Sequence, residues 1–155
     1  MEVFRSGAHE DLGIEIVEAS PEWVAIRIPF RPELARSAAN MSIHPGVVMT
    51  AMDSGMGLAC MMNLKESSSL ATLDLRYDEL RSPLADQDIE ISVHCKSVDD
   101  GIVFLTGNAS DSDGVFAKSV ARFFLTGASS EFFRNTFEKL ANLPNSGSSS
   151  AGGAI

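Results

Sequence analysis

The sequence predicts an α+β domain in which an antiparallel sheet of five to six strands wraps one long central helix. Three observations carry that expectation. The run IHPGVVMTAMDSGMGLACMMNL, residues 43–64, is apolar over about six helical turns and holds a single charged residue, Asp53. Segments on both sides of it alternate apolar and polar residues with the period of half-buried strands. The Asp-Gly pairs in SVDDG and SDSDG mark tight hairpins, which make the strands they join antiparallel neighbours. A helix apolar all round must be covered on most sides, and strands with one apolar face each can fold around it. One sheet cannot surround one helix, so a second copy is expected, as a homodimer or a dimer of dimers.

Residues 14–19 and 22–29 read as two strands joined by SPEW. In the second, Trp23, Ala25 and Arg27 alternate with Val24, Ile26 and Ile28. PELARSAANMS, residues 32–42, reads as a short helical turn and a loop. Pro45, after His44, suits a first helical position, where its missing N–H costs nothing. The helix should run to about Asn63 and end in the polar LKESSS. Four strands follow at about 70–80, 88–97, 101–110 and 115–126, read as a meander of four. On the second of these, Ile89, Ile91, Val93 and Cys95 share a face. Strict alternation puts Thr72 with Asp74 and Arg76, away from Leu73 and Leu75. EFFRNTFEKLANL spaces Phe133, Phe137 and Leu140 at helical intervals. NSGSSSAGGAI has the composition of a disordered tail. The organisation expected is one domain over 1–128, a short helix over 129–143 and a tail over 144–155.

The net charge is −9, from 12 basic and 21 acidic residues, which argues against a nucleic-acid-binding face. Residues 43–64 are long enough to span a membrane. Asp53, the internal glycines and the amphipathic strands that follow assign the run to a core instead. The start, MEVFRSGAHEDLGIEI, lacks the basic and apolar regions of a signal peptide. Two cysteines without close spacing, Cys60 and Cys95, make neither a disulfide framework nor a metal site. Reduced packing cysteines and a cytoplasmic setting are expected.

Asp53 is the residue that needs explaining, because an unpartnered buried carboxylate costs several kcal/mol or more. Either Thr50, Ser54 or a partner subunit satisfies it, or it faces a cleft and works there.

The blocks around it carry a resemblance. HPG with an acid nine positions after its histidine (His44 to Asp53), then ATLDLRYDELRSP (71–83), then DGVFAKSVARFFL (113–125), resemble in order and spacing the hotdog-fold thioesterases. The branch is that of the phenylacetate-pathway acyl-CoA thioesterases, and the likeness covers residues 10–127. It implies hydrolysis of an acyl-CoA or acyl-carrier thioester, with no cofactor and no metal. Asp53 would be general base on water, or nucleophile, at the thioester carbonyl. In the family a backbone N–H at the helix start binds the thioester oxygen, and it belongs to the first glycine after the histidine. Here that residue is Pro45, which has no N–H, and the role would pass to Gly46. Thr72 stands where the family holds the attacking water. The family's asparagine, six positions before the histidine, is replaced by Ala38, and Asn40 would take its part. These loop residues and the acid come from different subunits in the family.

Other residues keep two readings each. His44 is a helix cap or a substrate-side group beside Pro45. The methionines, including Met49 and Met52, are adaptable core or a wall for an acyl chain. His94 lies on the polar face of its strand. Arg76, Arg81 and Lys96 are surface charges or partners for coenzyme A phosphates. The competing function is a hotdog dimer that binds or senses an acyl thioester without cleaving it, and Pro45 motivates it.

Overall fold

The computed structural model describes residues 7–127 apart from positions 22, 65 and 67, together with scattered residues between 131 and 142. Its elements are α1 (Ala8–Leu12), β1 (Glu15–Ala19), β2 (Val24–Ile28), a 3-10 turn (Pro32–Leu34), β3 (Ala35–Ser37), β4 (Asn40–Ile43), α2 (Pro45–Met62), β5 (Leu70–Glu79), β6 (Ile89–Asp99), β7 (Ile102–Asp111) and β8 (Gly114–Leu125). The expected helix over 129–143, with Phe133, Phe137 and Leu140, and the tail over 144–155 fall largely or wholly outside the described residues.

The helix forms where the sequence places it. His44 is its N-cap, in extended conformation at φ −64° and ψ 135°, Pro45 opens the first turn, and Asn63 closes the last. Its buried side chains, among them Val48, Met52, Met56 and Leu58, lie against the sheet. The packing is close. A Cβ on Gly107 of β7 would fall 2.5 Å from the Met52 sulfur, so the bare backbone there leaves room for the helix. Gly55 of the helix lies over Ile26 of β2 and Val93 of β6, which a Cβ there would meet at 3.2 and 3.4 Å.

The sheet has six strands in the order β1-β2-β6-β7-β8-β5, and every neighbouring pair is antiparallel. β6, β7 and β8 follow one another through tight turns. At the first turn Asp100 and Gly101 both adopt positive φ, 44° and 76°, the backbone that a two-residue Asp-Gly hairpin requires. The meander of four expected from the sequence is corrected to three. β5 pairs with β8 at the far edge, not with β6, because residues 80–88 form a connection too long for a hairpin. The expectation for 32–42 also changes. After the 3-10 turn, β3 and β4 pair as a small separate hairpin. The five-residue α1 was not foreseen.

A second correction concerns which way β5 faces. Thr72 lies opposite Phe123 and Asp74 opposite Arg122, so Leu73 is an extra residue, a β-bulge. Beyond it Leu75 and Tyr77 oppose Ala121 and Ser119, which are buried, as Phe123 is. Thr72 therefore shares the inner face with Leu75 and Tyr77. Asp74 and Arg76 stay outside, where Arg122 pairs with Asp74.

Candidate active site

The central helix is not apolar all round. Gly46, Met49 and Thr50 are exposed, and Asp53, Ser54 and Gly57 are half-buried. The spacing i, i+3, i+4, i+7, i+8, i+11 puts all six on one stripe, opposite the side that packs on the sheet. Asp53 lies on the β5 flank of this stripe. Thr72 Oγ1 donates a hydrogen bond to Asp53 Oδ1 at 2.9 Å. Among the described residues no donor reaches Asp53 Oδ2. The pair exists because the bulge at Leu73 turns Thr72 inward.

On the other flank, α1 meets the helix. Ser54 Oγ donates to the Thr50 carbonyl at 2.8 Å, so its oxygen accepts from His9 Nε2, also at 2.8 Å. His9 was missed by sequence reasoning. A single histidine in an N-terminal segment has no periodicity and no spacing partner to reveal it.

The start of the helix is fully capped. Gly46 N–H donates to His44 Nδ1 at 3.0 Å, and Val47 and Val48 N–H both donate to the His44 carbonyl, at 2.9 and 3.3 Å. The amide expected to bind the thioester oxygen is thus already engaged. Asn40 does not meet Asp53 within the chain. Its Oδ1 accepts from Ser42 N at 3.1 Å and Ser42 Oγ at 2.7 Å, which shapes the β3–β4 hairpin.

No family model and no curated protein matches the sequence. Solved structures do match. A thioesterase from Haemophilus influenzae superposes with a TM-score of 0.75 at 16% identity, over 84% of this chain and 90% of that one. A conserved protein of Pseudomonas aeruginosa gives a TM-score of 0.72 at 22% identity, over 80% and 97%. The PaaI protein of the phenylacetic acid degradation operon of E. coli gives 0.67 at 13%, over 77% and 84%. The chain has the hotdog fold.

In this hotdog domain the remaining residues singled out from the sequence scatter. Met49 stands on the open stripe at 42% exposure, and Met52 is fully buried against Gly107. Arg76 points outward and pairs with Asp78. Lys96 lines a shallow cleft on the outer face of the sheet, beside Phe104 and Arg122. Arg81 lies nine residues beyond Thr72 along an extended segment, more than about 20 Å away. Its guanidinium is bound to Asp111, Ser82 O and Gly114 O. A cleft of about 500 Å³ between Arg27, Asp88, Glu90 and Ser110 is mostly acidic, the wrong sign for phosphate. His94 stacks on Trp23 at 6.5 Å.

The thiols can be set aside as nucleophiles. Burial pushes Cys60 up to about 12, and Cys95 is raised by the same cause. Among the described residues no group of three or more His, Cys, Asp or Glu side chains could hold a metal, and no helix is long and apolar enough to cross a membrane.

Proposed function

We propose that the protein hydrolyses acyl thioesters, with Asp53 as general base. The Thr72–Asp53 hydrogen bond carries the reading. It engages Oδ1 and, among the described residues, leaves Oδ2 of this half-buried side chain without a donor. A water donating one hydrogen to Oδ2 and the other to the Thr72 oxygen turns a lone pair toward a bound carbonyl. Asp53 accepts the water proton as the C–O bond forms, the C–S bond breaks, and the proton passes to the leaving thiolate. The products are a carboxylic acid and a thiol. Acyl-CoA and acyl carriers are the substrate class, with Met49 on the acyl side of the stripe and a second copy completing the site.

The test is thiol release from a panel of short, medium and aromatic acyl-CoAs and acyl carrier thioesters. Turnover of at least one is expected, and no turnover of any would end the hydrolase reading. A second reading draws on the capped amides and Pro45: a dimer that binds the thioester without cleaving it. Saturable binding of an acyl-CoA with no thiol release would favour it.

Thr72→Val keeps the shape and removes the hydroxyl. A hydrogen bond to a charged group contributes about 1.5–3 kcal/mol, so kcat should fall about 10- to 100-fold with a small change in KM. Unchanged kcat would detach Thr72 from the chemistry.

A further inference from the structure

We propose that His44 Nε2–H, rather than a backbone amide, is the hydrogen-bond donor to the thioester oxygen, paired with the Asp53 of a second copy as the family resemblance implies. This rests on the hydrolase reading above and names the group that reading leaves open.

The first argument is elimination at the helix start. Pro45 has no N–H. The next three amides, of Gly46, Val47 and Val48, are all given to His44, the first to its ring and the others to its carbonyl. What the helix start still offers is the far side of the imidazole. Because Nδ1 accepts the Gly46 N–H, the ring proton sits on Nε2. Among the described residues Nε2 has no partner, and His44 is exposed.

The second argument is that the ring has a built seat. A Cβ on Gly46 would meet His44 Nδ1 at 3.0 Å and Cε1 at 3.3 Å, so the imidazole lies against bare glycine backbone. It is oriented before substrate arrives. A donor held in place costs no reorganisation when charge develops on the oxygen. The positive end of the helix behind the ring acts in the same direction. Neutral imidazole at a helix N-terminus as the polarising group is a known solution elsewhere, in triosephosphate isomerase.

The third argument fixes the chain. Donor and base must each lie about 3 Å from the reacting group. His44 and Asp53 are nine residues apart on one helix, about 13 Å along its axis, so one copy cannot supply both. The open stripe solves this. Gly46, Met49, Thr50 and Asp53 are spaced symmetrically about the Met49–Thr50 bond. Two antiparallel stripes related by a two-fold axis set Gly46 opposite Asp53, and Met49 opposite Thr50, twice over. That is the isologous contact a symmetric dimer requires.

The experiment uses two variants of the full chain, each inactive for a different reason. Serine caps a helix at least as well as the residue it replaces, so His44→Ser keeps the fold and withdraws the donor. Its kcat should fall about 100- to 1,000-fold, with little change in KM or melting temperature. Full kcat in this variant returns the role to a backbone amide and overturns the proposal. His44→Ser and Asp53→Asn are then unfolded together and refolded as a mixture. Half the dimers are mixed, and each mixed dimer has one site with both groups intact, so the mixture should recover about a quarter of wild-type activity. No recovery overturns the cross-chain assignment. If wild type itself turns over no thioester, the hydrolase reading fails first and takes this proposal with it.

Discussion

If the protein cleaves an acyl thioester as proposed, Asp53→Asn should lower kcat about 100- to 10,000-fold, with KM changed only a few-fold. The substitution is nearly isosteric. The asparagine Oδ1 can still accept the Thr72 hydroxyl, so the local geometry is retained. What it cannot do is take a proton from water. Loss of a positioned base removes about 10²–10⁴ in rate, or about 3–5 kcal/mol of transition-state stabilisation. Stability should hold or rise, because the half-buried charge is removed from the helix. The measurement is steady-state thiol release alongside a thermal melt. A variant that keeps more than a tenth of wild-type kcat would assign the chemistry to another group. Combining it with Thr72→Val supplies a further check. If Thr72 acts through Asp53, the double variant should be scarcely slower than Asp53→Asn alone, since coupled residues do not add.

The second large effect is on stability, at a site remote from Asp53. Asp111 ends β7 with its side chain fully buried. It accepts from Arg81 Nη1 and Nη2 at 2.8 and 2.6 Å, and from Leu84 N and Asp113 N, both at 2.9 Å. Arg81 also donates to Gly114 O and lies over the Phe116 ring, 5.8 Å from its centroid. One ion pair thus ties the 80–88 connection to the β7–β8 hairpin. Asp111→Asn leaves the guanidinium without its counter-charge. A loss of about 2–4 kcal/mol is expected, below the range for a fully buried pair because Arg81 is partly exposed. Urea unfolding measures it, and an unchanged midpoint would mean that the clamp contributes nothing.

The same pair sets an acid limit. The hydrogen bond from Arg81 holds the Asp111 carboxyl down at about 2, below the ordinary 3.8, with burial acting in the opposite direction. The folded value lies below the unfolded one. Its contribution is therefore complete above about pH 5 and fades as pH falls through 3.8 toward 2. Wild type should lose stability across that window, and Asp111→Asn should show a shallower decline there.

The helix, its start at Pro45 and all six strands of the main sheet were legible because each has a period or a boundary signal that survives in one dimension. Asp53 was legible because a charge interrupts an apolar run. Strand order was not. Only the length of the 80–88 connection hints that β5 and β6 are separated, and no residue in it says which edge β5 takes. The resemblance put Thr72 at the site, holding the attacking water, while the alternation rule pointed it the other way; its hydrogen bond to Asp53 was not foreseen. One unpaired residue decided between them, and a bulge has no sequence signature strong enough to read here. Arg81 shows the opposite failure. As a lone basic residue after a strand it looked available for phosphate, and only the fold reveals Asp111, thirty residues on, as its partner.

The bulge at Leu73 has a consequence for how such a chain can vary. β5 is an edge strand, so an inserted or deleted residue there disturbs one ladder and leaves the five strands behind it untouched. Yet that one residue decides whether the position-72 hydroxyl looks at the carboxylate or at bulk water. Single-residue length changes in this strand would therefore make or break the Thr72–Asp53 hydrogen bond while sparing the core.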